Sequence, residues 1–168
     1  MIITKPLKID QQLLEQNQRL LRHLNTSCLN KHQIKQLLSD IFGYQLDSSN
    51  QFLLPFYSDY GRNIRFGKNI SIICNVMMAD KAGIKIGDNV EIGSGTSLLT
   101  VDGDQHGPII IDSGVRIGGN VTVLPNVHIG ASVVVSAGAI ITHDIPAGEK
   151  FYVRRDNDAR ITFNSRMG

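Results

Sequence analysis

Proton transfer and nucleophilic attack near neutral pH draw on imidazoles and thiols, and this 168-residue chain carries five histidines and two cysteines. Cys28 and Cys74 are too few for a disulfide framework or a four-cysteine zinc site, and they suit a reducing compartment. Cys74 has no base beside it in sequence, so packing is its expected role. His23 and His32 fall in amphipathic helical stretches, where solvent is the ordinary surrounding. His128 sits between Val127 and Ile129, and alternation turns it outward. His106 differs in context. It stands in "TVDGDQHGPIII", a glycine-containing interruption of an otherwise periodic text.

That period is six. In "GVRIGGNVTVLPNVHIGASVVVSAGAIIT", residues 114–142, Val115, Val121, Val127 and Val133 recur every six residues, with Ile117, Val123, Ile129, Val135 and Ile141 two positions behind. The frame extends back through Ile111, then Leu98, Ile92 and Ile86, then Met78, Ile72 and Phe66, which makes twelve hexads. Two positions before each stands a second small or branched residue, and only Thr96 among them is polar. Neither an α-helix nor a simple strand repeats at six, whereas a hexapeptide period is the signature of a parallel β-helix in which three hexads close one coil. Twelve hexads predict about four coils. Stacking at ~4.8 Å turns the branched aliphatics into continuous internal ladders. Gly67, Gly87, Gly93, Gly118 and Gly130, each just after an inward aliphatic, mark corners that are either crowded or at positive φ. An antiparallel sheet also satisfies a period that 2 divides, but the hairpin dipeptides it needs are missing.

Upstream, Leu13, Leu14, Leu20, Leu21 and Leu24 form one helical stripe, and Ile34, Leu37, Leu38, Ile41 and Phe42 form another. Asp10 and Asn30 are candidate N-caps and Gly43 a candidate terminator. The expected organisation is an N-terminal helical cap and linker at 1–60, the coils at 61–147 and a tail at 148–168. Lys plus Arg number 17 against 15 Asp plus Glu, without a basic run, so nucleic acid is not an expected partner. No apolar run approaches the ~20 residues of a membrane span and no secretory leader is visible, so no membrane is expected and the cytoplasm is the expected location.

The aliphatic-glycine hexads resemble the hexapeptide-repeat acyltransferases, whose β-helix is left-handed. Within them, "LPFYSDYGRNIRFGKN", "IKIGDNVEIGSGTSLLT", "VVVSAGAIITHDIP" and the helical "LKIDQQLLEQNQRLLRHLN" resemble the maltose and galactoside O-acetyltransferase branch. The resemblance implies a mostly β fold with a helical cap, a homotrimer with sites between neighbouring prisms, and acetyl-CoA as co-substrate. It implies transfer of acetyl to a hydroxyl of a sugar-like acceptor, with a neutral histidine as general base, backbone N–H groups for the oxyanion and no covalent enzyme intermediate.

Carried over residue by residue, the family's base follows a Thr-x-x-His pattern, and the ungapped count from Thr100 arrives at Gly103. His106, three positions on, is the candidate catalytic residue; a solvated loop histidine is the plainer alternative. For the acceptor the candidates are Asp10, Asn75 and Asp80, against helix N-cap, surface and turn roles. For acetyl-CoA they are Gly119, Ala137, Gly138, Thr142, His143 and Arg160, with His143 where the family commonly has lysine and Arg154 and Arg155 nearby. Arg116 replaces a family tryptophan and the usual Gly-x-Pro-Ala ending is absent. These departures keep open a second function, a catalytically degenerate trimer acting as a CoA-binding or scaffold protein. Gamma-class carbonic anhydrases share the prism and use three histidines, but no matching histidine spacing occurs, so no metal is expected.

Overall fold

The computed structural model describes residues 7–156 and 159–165, with side chains described through residue 153. Helix α1 (Gln11–Thr26) starts where the Asp10 side chain accepts the N–H groups of Gln12 and Leu13 at 3.0 and 3.1 Å. Helix α2 (Lys31–Phe42) starts in a reciprocal capping box between Asn30 and Gln33 and stops at Gly43 in the left-handed region, φ +78°. Both expected caps and the terminator are present, and Gln33 adds the second half of the box.

Three parallel sheets then build a left-handed β-helix. Face A stacks 51–52, 71–72, 91–92, 116–117, 134–135 and 150–151. Face B stacks 56–58, 76–79, 97–99, 122–123 and 140–141. Face C stacks 64–66, 84–86, 109–111 and 128–129, and ends in a single bridge from Ile129 to Ile145. The expected hexads hold their register: Ile72, Ile92, Ile117, Val135 and Phe151 form one internal ladder and Met78, Leu98, Val123 and Ile141 another, each residue essentially fully buried. The one polar interior site is satisfied, because Thr96 Oγ1 donates to Gly118 O at 2.8 Å and accepts from Val121 N at 3.2 Å.

Two details differ from the expectation. The helix has about five coils, since the first begins at Gln51 rather than near residue 61. Its first hexads are masked in sequence because the interior at this end is an aromatic cluster, Phe52, Phe56 and Phe66 of the coil with Phe42 of α2, whose ring centroids lie 5.1–6.0 Å apart, rather than a ladder of branched aliphatics. The left-handed corner residues are also not the glycines that follow the inward aliphatics. They come two residues later, at Asn69, Asn75, Asn89, Asn120, Asn126 and Ser132, with glycine at 83, 95, 114 and 138. Gly93 and Gly118 meet the other half of that expectation, crowding: a Cβ on Gly93 would lie 2.5 Å from Gly118 C, and one on Gly118 would lie 2.6 Å from Ala137 N.

The cap is latched onto this prism by side-chain amides, Asn17 buried and Gln18 and Asn25 half-buried. Asn17 Nδ2 donates to Ile41 O and Tyr60 O, Gln18 Nε2 to Ser58 O and Asp59 O, and Asn25 exchanges two hydrogen bonds with the backbone of Phe56. No helix among the described residues is long and apolar enough to cross a membrane.

Candidate active site

The candidate residues divide between the two edges that border face B. At the A/B edge, corner stacks on corner: Asn75 N donates to Pro55 O at 2.7 Å, Gly95 N to Cys74 O at 3.2 Å, Asn120 N to Ser94 O at 2.8 Å, and Gly138 N to Gly119 O at 2.9 Å. Asn75, Gly119, Ala137 and Gly138 therefore share one column. Asn75 is exposed at φ +62°, so the corner conformation alone accounts for its residue type. Cys74 is half-buried beside it, with its Sγ 3.5 Å from Ser94 Oγ.

The B/C edge carries the rest. Between Thr100 and Gly107 the chain leaves the prism as a two-stranded hairpin, Val101–Asp102 against Gln105–His106. Gly103 takes the first turn position at φ +56°, as a II′ connection needs, and its surroundings are open. The position that the Thr-x-x-His pattern assigns to the base is thus the hairpin tip, whereas His106 is half-buried at the hairpin's exit. The base of the hairpin is fixed: buried Thr100 donates through Oγ1 to Ala79 O at 2.6 Å and accepts from Ala82 N at 3.0 Å, and Gly107 N returns to Thr100 O at 2.9 Å. Thr142 and His143 lie exposed on the same edge, in the fifth coil, with Thr142 Oγ1 3.2 Å from His143 Nδ1 and the imidazole edge-on to Phe151. The side chains of Arg154, Arg155 and Arg160 lie outside the described residues.

Two acceptor candidates have other partners. Asp10 is engaged in capping α1, on the exposed outer end of the cap. Asp80 is corrected: it is fully buried and accepts from Ser58 Oγ, Tyr60 N, Gly61 N and Asn63 N at 2.8–3.1 Å, so no acceptor can touch it. The "SDYGRN" turn wraps around this carboxylate, which explains the stretch physically. Asp59, in the same turn, has its pKa pushed up to about 6, first by burial and then by the hydrogen bond and charge of Asp80. Sequence reasoning assigns Asp59 nothing, although its place in "SDYG" is a signal. Arg116, at the position of the family tryptophan, pairs with Glu91 at 3.1 Å on face A, away from both edges. His128 faces outward on face C with Nε2 2.8 Å from Asp112 Oδ2. Among the described residues no three of His, Cys, Asp and Glu gather as a metal-binding group.

The outer column of face B between these edges runs Tyr57, Met77, Ser97, Thr122 and Ile140. Tyr57 and Ile140 are 45% and 52% exposed, so this face presents apolar surface where the other two carry Arg65, Lys85, Glu91 and Arg116.

No family model matches the chain. Among curated proteins, one from Schizosaccharomyces pombe designated a candidate acetyltransferase is 38% identical over 122 residues, which are 66% of this chain and 59% of that protein. A Staphylococcus aureus protein of the same designation, strain MRSA252, is 36% identical over 154 residues, 82% of this chain and 76% of its own length. The chain spans about three-fifths of the length of the two yeast relatives it matches. Among solved structures, the hexapeptide-repeat-containing acetyltransferase of Vibrio cholerae complexed with acetyl coenzyme A superposes with a TM-score of 0.82 at 31% identity, over 93% of this chain and 87% of that one. A maltose O-acetyltransferase from Clostridium difficile superposes with a TM-score of 0.76 at 27% identity, over 84% and 83%.

Proposed function

The chain belongs to the hexapeptide-repeat acetyltransferases, and from that membership we propose that it transfers acetyl from acetyl-CoA to a hydroxyl of a sugar-like acceptor. The observation that carries this reading is the likeness, over 93% of the chain, to a structure holding acetyl-CoA. A maltose O-acetyltransferase among the neighbours supports a sugar hydroxyl as acceptor.

The working unit is a homotrimer. The A/B edge holds Asn75, Gly119, Ala137 and Gly138, and the B/C edge holds His106, Thr142 and His143; one copy cannot bring both columns together across the width of face B. Packing the apolar face B of one copy against the next lets the A/B column of one prism meet the B/C column of its neighbour. Backbone groups at Gly119, Ala137 and Gly138 then line the arm of the thioester donor. His143, and Arg160 of the tail, stand for its phosphates.

In this cleft the His106 imidazole removes the proton of the acceptor hydroxyl as its oxygen attacks the acetyl carbon. The C–S bond then breaks, the CoA thiolate departs, and the ester forms without an acyl-enzyme. Backbone N–H groups stabilise the tetrahedral oxyanion. Preorganised corners suit that task, because they need no reorganisation as charge develops.

A second reading, a prism that retains CoA binding without turnover, is favoured by one observation: the Thr-x-x-His position is Gly103 at an open hairpin tip. One experiment separates the two. CoA thiol release is measured against sugars, amino sugars and serine, for the native chain and His106→Ala. Turnover with a sugar that the substitution lowers by about 100-fold or more supports transfer with His106 as base. CoA binding without turnover on any acceptor supports the second reading.

A further inference from the structure

We infer that Asn126 is a positioning residue that holds His106 in place from the next coil, an inference that rests on the reading of His106 as the base. His106 is the last residue of the hairpin, so the placement of its ring depends on how the exit from the hairpin is held. The tip is open and contributes nothing. Besides the strand pair itself, three hydrogen bonds hold the exit: Gly107 N to Thr100 O at 2.9 Å, Ile109 N to Gly83 O at 3.0 Å, and Asn126 Nδ2 to His106 O at 3.2 Å. The Asn126 bond crosses between the third and fourth coils, and it is the one side-chain hydrogen bond to His106 among the described residues.

The left-handed corner suits asparagine and glycine alike, so the argument for Asn126 rests on what its amide contacts and not on its residue type. Asn126 has φ +65°, and the corresponding corners at Gly83, Gly114 and Gly138 adopt the same region with no side chain. What the amide adds is a donor aimed at the His106 carbonyl and a surface against Gly107. A Cβ at Gly107 would run into the Asn126 amide, so the two positions are fitted to one another. Other corner asparagines also stack on the coil before them: the Asn120 amide lies over Gly95, and Asn69 Nδ2 reaches Asn89 Oδ1 at 2.7 Å, so what sets Asn126 apart is that its amide donates to the carbonyl of His106.

The test uses the full chain and its best acceptor. Asn126→Gly keeps the left-handed corner and removes the donor; Asn126→Asp keeps the shape, replaces the donor with an acceptor and adds a negative charge near the hairpin. Gly107→Ala attacks the same fit from the other side. Expected are a kcat lowered about tenfold or more in each, a KM for acetyl-CoA within about twofold of native, and faster amide hydrogen exchange across 101–107. For Asn126→Asp the acid limb of the kcat–pH profile should also move to higher pH, which a merely structural role would not produce. Native kcat and native exchange in Asn126→Gly, while His106→Ala is inactive, overturn the positioning role alone. Full activity in His106→Ala overturns the base reading and this inference with it.

Discussion

Asp59 Oδ1 accepts the backbone N–H of Asp80 at 2.7 Å, and the two carboxyl groups come within hydrogen-bonding reach inside the turn that ties the cap to the second coil. Burial and the neighbouring charge raise the Asp59 pKa to about 6 from an ordinary 3.8, with Lys81 Nζ at 3.8 Å offering only partial relief. A carboxyl whose folded pKa is raised holds its proton more tightly folded than unfolded. Its contribution to stability is therefore complete below about pH 4 and is lost as the pH climbs through 6. The amide introduced by Asp59→Asn can keep accepting the Asp80 N–H and never ionises. With allowance for solvent screening of a group that is only partly buried, the substitution should raise the melting temperature at pH 7.5 by the equivalent of about 2 kcal/mol, and leave it unchanged near pH 4. An equal shift at both pH values would show that charge is not the cause.

Asp80 should behave in the opposite way. Asp80→Ala strands four donors, the N–H groups of Tyr60, Gly61 and Asn63 and the Ser58 hydroxyl, in a buried site. A loss of roughly 3–5 kcal/mol is expected in urea unfolding. A loss under about 1 kcal/mol would contradict the hub described for this carboxylate.

Close approach between coils gives a third expectation. Gly93→Ala places a methyl 2.5 Å from the Gly118 backbone, which cannot yield without parting two coils, so a cost above about 2 kcal/mol is expected. Gly138→Ala meets nothing within 4 Å and suffers only from φ +77°, a cost nearer about 1 kcal/mol. Comparing the two by thermal unfolding separates crowding from backbone strain; equal losses would remove the distinction.

How much of this could be read beforehand follows from which signals survive in one dimension. The inward positions from Ile72 to Ile141 were legible because an internal ladder demands a branched aliphatic at every sixth residue, and so was the polar exception at Thr96. Of the first coil only the last hexad, Ile64 and Phe66, fits that frame, because Phe52 and Phe56 pack with Phe42 of the cap, from another part of the chain. The left-handed corners also have a sequence signal, an asparagine followed by a branched aliphatic, as Asn69-Ile70 and then Asn75-Val76, Asn89-Val90, Asn120-Val121 and Asn126-Val127. For Asp80 a turn aspartate and a buried hub look alike in sequence until its donors, 17–22 residues upstream, are placed around it. The two-edge division of the site is a property of three-fold winding, invisible without the assignment of each hexad to a face.

His143 supplies the last prediction. It stands exposed on the B/C edge beside Thr142, where the family resemblance implies a lysine facing the phosphates of the donor. A histidine as a residue type carries its charge only toward the acid side of the range between about pH 5 and 8, whereas a lysine carries it throughout. Attraction between exposed charges of this kind is screened over about 10 Å at roughly 0.1 M salt. If this edge holds the phosphates, His143→Lys should lower the KM for acetyl-CoA about three- to tenfold at pH 8 and low salt, with kcat unchanged. The advantage should shrink at about pH 6, toward which histidine as a residue type gains charge and lysine gains none, and again at about 0.5 M salt, where screening removes it. A KM that stays at the native value at pH 8 and low salt would place the phosphates away from this edge. A decrease that persists undiminished in high salt would mean that the lysine acts through packing against Phe151, which the imidazole now meets edge-on, and not through charge.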